Sequence, residues 1–510
     1  MQSVMQLRDR RQQDLAQHPL FTWLKNDNVA IEEKLHFLPA LASFSMGFRD
    51  VNKWVLRYPV NSDDYRRAIN DHTFEDQTHS VLYLEDWKKL GLDDVLEWTA
   101  SDTLWWLFLA EANETARKHG IYFLSMATAD VDDPFLRFAH SEVIEACGNV
   151  FFENVVHVAN ALTEKTGEDY RYLGPFHLAR ETGHMDTEGV FEETVLTPAQ
   201  RERALQLANT MFDIFEEMFT QFLEYAQRYV AHQPPRPEET PALQTHMGPA
   251  DRKSLSTVKK EAVTTACHVT QRTVRDLLNW RKFQTANHPF YEWLQHHRDL
   301  SAKQALQRFL PMWAMDIMGY RDLNHYAMRY PNPATPLERD VNRWVDDLTT
   351  HNTLYLADWR ALDLDKILGW SASETLRFCF LDPHVEAHRR NIAKFVSLAS
   401  KYPKPVQRIW LMHVLEASGD AFFATTRTLA LQAEAEEPQL RLDYLADRHQ
   451  VAHTPQHVAT THPAATISTL SLTEYDQHVV TTMINTVFDA VDEQLDISLD
   501  IALSNRFDIP

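Results

Sequence analysis

Two stretches of this chain repeat one another closely, and that repetition limits the fold more than any other feature. FLPALASFSMGFRDVNKWVLRYP, from Phe37 to Pro59, returns as FLPMWAMDIMGYRDLNHYAMRYP, from Phe309 to Pro331. The register holds through LYLEDW at Leu82 and LYLADW at Leu354, and IEACGNVFF at Ile144 is matched by LEASGDAFF at Leu415. A period near 270 residues far exceeds the ~50-residue limit of solenoid repeats, so a whole domain is duplicated. Duplication supplies an internal control. Residues common to both copies are expected to hold the fold, and residues present in one copy only become candidates for chemistry.

A chain of 510 residues accommodates two domains of about 230 residues each. The first copy is assigned to residues 1–232 and the second to 256–510, with the Pro- and charge-rich segment 233–255 as an exposed linker. Within each copy apolar residues recur at three- and four-residue spacing. In LQLANTMFDIFEEMFTQFLEYAQRYV, the residues Leu205, Ala208, Met211, Phe212, Phe215, Phe219 and Leu223 share a helix face. With only 12 glycines, no alternating strand pair and no Gly-rich phosphate loop, each copy reads as an all-α bundle of about seven to eight helices.

A net charge of −22 argues against a nucleic-acid footprint. No uncharged apolar run is long enough to span a bilayer, and the N-terminus lacks an apolar secretion signal. Cys147, Cys267 and Cys379 have no zinc-site spacing and cannot build a disulfide framework. A cytoplasmic protein is expected.

Three segments of the first copy place His and carboxylate groups at helical spacing. In NDHTFEDQTHSVLYLEDW, the residues His72, Glu75 and His79 fall at i, i+3 and i+7, and Asp76 lies three before His79. HSEVIEACGNVFFENV carries Glu142 and Glu145 one turn apart, and PFHLARETGH carries His177, Glu181 and His184 at i, i+4 and i+7. Helix bundles hold paired metals with such side chains, and a mixed His–carboxylate set suits iron or manganese. Taken alone, Glu75 with His79 reads as a surface ion pair, and Glu142 as a solvated or capping residue. Glu145 sits in a run of apolar and small residues, where an unsatisfied carboxylate is costly.

This order of ligands resembles the haem-oxygenase-like di-metal oxidases and oxygenases, the superfamily that also contains the TenA and PqqC folds. Glu145 precedes His177 by 32 residues, which suits that pattern. The resemblance implies two tandem haem-oxygenase-like bundles and a non-haem centre of two irons per chain, or iron with manganese. It further implies O₂ as co-substrate, an external electron donor, and a small amine- or amino-acid-like substrate undergoing N-oxygenation, desaturation or oxidative C–C cleavage. Carried over, the metal ligands are Glu75, His79, Glu145, His177, Glu181 and His184, with His72 or Asp76 as alternates to Glu75. The family usually has Asp where this chain has Glu181. Its members often pair as dimers, so the covalent duplication implies a monomer that is an intramolecular pseudo-dimer, or else a homodimer. Two other classes stand beside this reading: a TenA-like hydrolase with Cys147 as nucleophile, and a non-catalytic scaffold.

Aligned by residue type, the second copy matches His79 with His351, Glu75 with Asp347, Glu145 with Glu416 and His184 with His453. His72 becomes Trp344, His177 becomes Ala446 and Glu181 becomes Gln450. The second copy is therefore expected to be a degenerate partner that supports the first.

Overall fold

The computed structural model describes residues 1–129, 132–181, 194–231, 273–296, 299–348, 351–446, 467 and 470–509, except for the side chains of 75, 180, 181, 229–231 and 347. The linker 233–255 and Cys267 lie outside the described residues. Among the described residues every regular element is helical and none is a strand, so the chain is all-α. No described helix is long and apolar enough to cross a membrane.

Ten described helices of the first half have a counterpart in the same order in the second, from Gln2–Leu15 beside Val274–Ala286 to Pro198–Ala231 beside Glu474–Ser504. Short helices fall between long ones, so each half holds more segments than the seven or eight expected. The shared residues explain the shared elements. Helices Ala100–Phe108 and Ala372–Leu381 both begin with a capping box, Thr99 with Asp102 and Ser371 with Glu374. Helix Leu38–Val51 runs into a π-helical turn, Asn52–Leu56, and Ala314–Asp322 does the same at Leu323–Met328. Gly91 and Asp363 make the same left-handed turn, with φ of 62° and 56°. Only the first copy uses glycine there; the second carries the strain on an Asp, among the residues that tolerate this region best.

The helix bearing His72 and Asp76 is tied from its middle to the preceding segment by Asn70. Its side chain accepts from the Tyr58 amide at 2.6 Å and donates to the Tyr58 carbonyl at 2.9 Å. Asn342 holds Tyr330 in the same two-way bond at 2.8 Å and 2.8 Å. The periodicity read from Pro198–Ala231 is also realised: Ala208, Met211, Phe212, Phe215 and Phe219 are buried, with Leu205 and Leu223 at the edge of the core.

The two halves meet through contacts that come in reciprocal pairs. Asp50 accepts from Arg389 Nε at 2.9 Å, and Asp322 faces Arg117 Nε at 3.4 Å. Asp365 accepts from the Ser101 amide at 2.8 Å, and Asp93 accepts from the Ser373 amide at 2.9 Å. In all four pairs the residue from the second half lies 272 positions after its first-half counterpart. This is the signature of an isologous interface, related by a pseudo-two-fold axis within one chain. Burial pushes Asp50 and Asp322 up to about 6, opposed chiefly by Arg389 and Arg117 respectively. One buried apolar cluster runs through both halves, including Phe48 and Trp106 from the first and Met315 and Phe378 from the second.

Candidate metal centre

His72, Asp76 and Glu145 offer ligand atoms that all lie within 4.8 Å of one another. Helix Asp64–Asp76 supplies the first two from positions one turn apart, and helix Pro134–Thr166 supplies the third. The longer helix is capped by Asp133, which accepts from the Phe135 amide, and ends at Gly167 with φ of 78°. His72 Nε2 stands 3.4 Å from both Asp76 Oδ2 and Glu145 Oε1. Burial disfavours a charge on His72, but Asp76, Glu145 and Glu142 outweigh it and hold the imidazole protonated up to about 10. Two buried carboxylates thus draw a cation into the group, and in the metal-free protein a proton on His72 fills that role.

His79 and Glu145 line one small cavity of about 50 Å³ with Phe48, Phe152 and Tyr172. The ring of His177 lies 4.2 Å from that of His79, edge to face, and 4.1 Å from Phe152. His177 is fully buried, and its Nδ1 donates to the Tyr172 carbonyl at 2.8 Å. A carbonyl can only accept, so Nδ1 carries a proton, the arrangement a histidine ligating through Nε2 adopts. The turn that bears this carbonyl is clamped by Asp86, which accepts from the amides of Arg171, Tyr172 and Leu173 at 2.9 Å each.

Five of the residues singled out by spacing therefore converge: His72, Asp76, His79, Glu145 and His177. The ligand set taken from the resemblance had placed Glu75 in this group, with His72 and Asp76 as alternates; the described group is built on the two alternates. The Glu75 and Glu181 side chains and all of His184 lie outside the described residues. Glu142 is neither solvated nor a cap: it is buried and paired with Arg8 at 2.8 Å.

One buried histidine escaped the spacing argument. His140, one turn before Glu145's neighbour Ile144, is 1% exposed, and neither ring nitrogen has a hydrogen-bond partner. Burial lowers its pKa to about 4, so it is neutral. Its counterpart is Leu411, and comparing the copies position by position would have found it.

The second half corrects the alignment made by residue type. Asp358 accepts from the amides of Asp443, Tyr444 and Leu445, the same clamp that Asp86 makes on 171–173. This sets Tyr172 opposite Tyr444, so His177 falls opposite His449 and Gly174, not His177, falls opposite Ala446. Residues 447–466 lie outside the described residues, His449, Gln450, His453 and His457 among them. What the second half lacks is the pair His72 and Asp76, whose places are taken by Trp344 and Leu348 in an apolar cluster.

Glu416, opposite Glu145, is left without those two neighbours, and burial followed by Asp420 pushes it up to about 7 from an ordinary 4.5. Its folded value exceeds its unfolded one, so this carboxyl erodes stability as pH rises from 4.5 to 7. Glu416→Gln is expected to gain about 3 kcal/mol over the wild type above that range and to converge with it below. Urea titrations on the acid and alkaline sides check this; an equal difference at both would contradict it.

Compared with known proteins, the chain matches no family model, and no curated protein matches it significantly.

Proposed function

We propose that the first half is a haem-oxygenase-like, non-haem di-iron oxidoreductase domain and that the second is its degenerate tandem partner. The observation that carries this reading is the hydrogen bond from buried His177 Nδ1 to the Tyr172 carbonyl, which makes Nε2 the ring nitrogen that would serve as a ligand. Buried nitrogen and carboxylate oxygen donors from four helices are a chemically suitable set for two iron ions, or for iron with manganese. His72 and Asp76 would serve one side of the centre and His79 and His177 the other. Glu145, close to His72 and Asp76 and in the same cavity as His79, is the member common to both. Glu181 and His184 complete the set on the family pattern.

When bound, the metals supply the activation of O₂ for oxidation of a small amine- or amino-acid-like metabolite, with electrons from an external donor. The protein's own contribution is to hold the donors. Asp86 fixes the turn, the turn's carbonyl fixes the His177 tautomer, and Phe48, Phe152 and Tyr172 wall the site with apolar surface. The reaction subclass rests on family analogy. Cys147 does not favour the hydrolase reading: it is fully buried, and burial drives its thiol well above the ordinary value. The reciprocal interface favours a monomer acting as its own pseudo-dimer.

The test is oxygen uptake by protein loaded anaerobically with Fe(II), wild type beside His177→Ala. Uptake in proportion to bound iron, lost in the variant, is expected. Iron bound by the wild type but inert to O₂ would overturn the oxidase reading.

A further inference from the structure

A second cavity, of about 160 Å³, lies where the two halves meet, and much of its wall is made of pairs related by the pseudo-two-fold, the rest coming from the first half. Gly47 and Gly319 form one such pair, Asp50 and Asp322 another, and Gly120 and Ile392 a third. The third pair breaks the symmetry. Around Gly319 the space is filled: a Cβ there would meet Ile392 Cδ1 at 3.4 Å. Around Gly47 and Gly120 a Cβ would meet nothing within 4 Å. The opening therefore belongs to the first half, the one with the metal-type ligands. Phe44 and Phe48 stand in its wall and also in the wall of the cavity that holds His79 and Glu145.

Most of the lining is apolar, but Ser43, Asp50, Arg117, Asp322 and Arg389 also stand in it, with Arg117 facing Asp322 at 3.4 Å. Asp50 is buried and lines the cavity; its Oδ2 is taken by Arg389, while its Oδ1 has no hydrogen-bond partner. Empty apolar cavities of about 150 Å³ are known to bind benzene. Leaving one here carries a packing penalty, and Ile392 shows that this fold has a side chain that closes the equivalent space.

We propose that this cavity is the second compartment of the substrate site. It takes an apolar body of about the size of a benzene ring, with one N–H or O–H donor turned to Asp50 Oδ1. The substrate would thus be an arylamine-like or short alkyl molecule whose reacting end lies beyond Phe44 and Phe48. This assignment rests on reading the neighbouring His–carboxylate group as the metal site.

The experiment titrates metal-free protein with benzene and with aniline by calorimetry, comparing the wild type with Gly120→Ile, which copies the second half, and with the milder Gly120→Ala. Aniline is expected to bind the wild type more tightly than benzene does. Its affinity should fall at least tenfold in Gly120→Ile and by less in Gly120→Ala, while iron uptake matches the wild type. No binding to the wild type, or binding unchanged in both variants, would overturn the compartment. Aniline binding no tighter than benzene would overturn the role of Asp50. Probe binding that responds to Gly120 in a protein that takes up no iron would sink the metal reading and leave the cavity as a ligand site.

Discussion

The double variant His72→Trp/Asp76→Leu is expected to keep the helical fold and lose metal affinity by at least about 100-fold, the upper end of what a lost supporting residue costs and a floor for two lost ligands. The fold survives because the second half already carries this pair. Trp344 on helix Pro336–Asp347 and Leu348 at its C-cap occupy the two corresponding positions and pack into an apolar cluster. The affinity falls because the substitution removes one imidazole and one of the two buried carboxylates within 4.8 Å of each other. Glu145 is then left in the situation of Glu416, whose carboxyl burial pushes up to about 7. A neutral acid is a poor ligand, so the loss exceeds that of two donors alone. Anaerobic Fe(II) titration measures the affinity, and circular dichroism measures the fold. Melting of the metal-free form should shift by no more than roughly 3 °C, about 1 kcal/mol. Unchanged iron binding would show that the metal lies elsewhere.

Asp86→Ala and Asp358→Ala are expected to destabilise the chain alike, by about 3 kcal/mol each, and to differ completely in what else they do. Each aspartate satisfies three consecutive amides, at 171–173 and at 443–445. Both carboxylates are buried, Asp86 pushed up to about 6 and Asp358 to about 7, against the opposing pull of those amides. Removing either leaves three donors without their acceptor. At Asp86 the freed turn carries the carbonyl that sets the His177 tautomer, beside the His72 and Asp76 pair that the second half replaces with Trp344 and Leu348. Asp86→Ala should therefore lose iron affinity together with stability, whereas Asp358→Ala should lose stability alone. Urea unfolding and iron titration of the two variants separate these effects. Equal loss of iron binding in both would mean that the effect is global and that the clamp has no specific role in positioning His177.

Much of the fold is legible in the repeat, because the residues that build turns and caps recur as residue types. Asn70 with Asn342, Asp93 with Asp365 and Thr99 with Ser371 all do so. Their reciprocal pairing across the interface is not legible: a one-dimensional repeat does not say which copy a shared Asp will face. The site was legible as a set of spacings and not as a choice among neighbours. Glu75 and Asp76 are adjacent, about 100° apart around a helix, and the phase that turns Asp76 toward Glu145 is set by packing. The register past Glu145 was missed for a different reason. The Asp86 and Asp358 clamps bind backbone amides, which leave no residue signature, so matching histidines by type slid the alignment by three positions at His177.

The central claim is that the first half alone holds a two-metal site. Its most direct test is the iron content per chain after anaerobic Fe(II) loading and desalting, by elemental analysis of the wild type and of His72→Trp/Asp76→Leu. Two irons per wild-type chain and at most one in the variant is the predicted result. No iron in the wild type, or two irons retained by the variant, would contradict it.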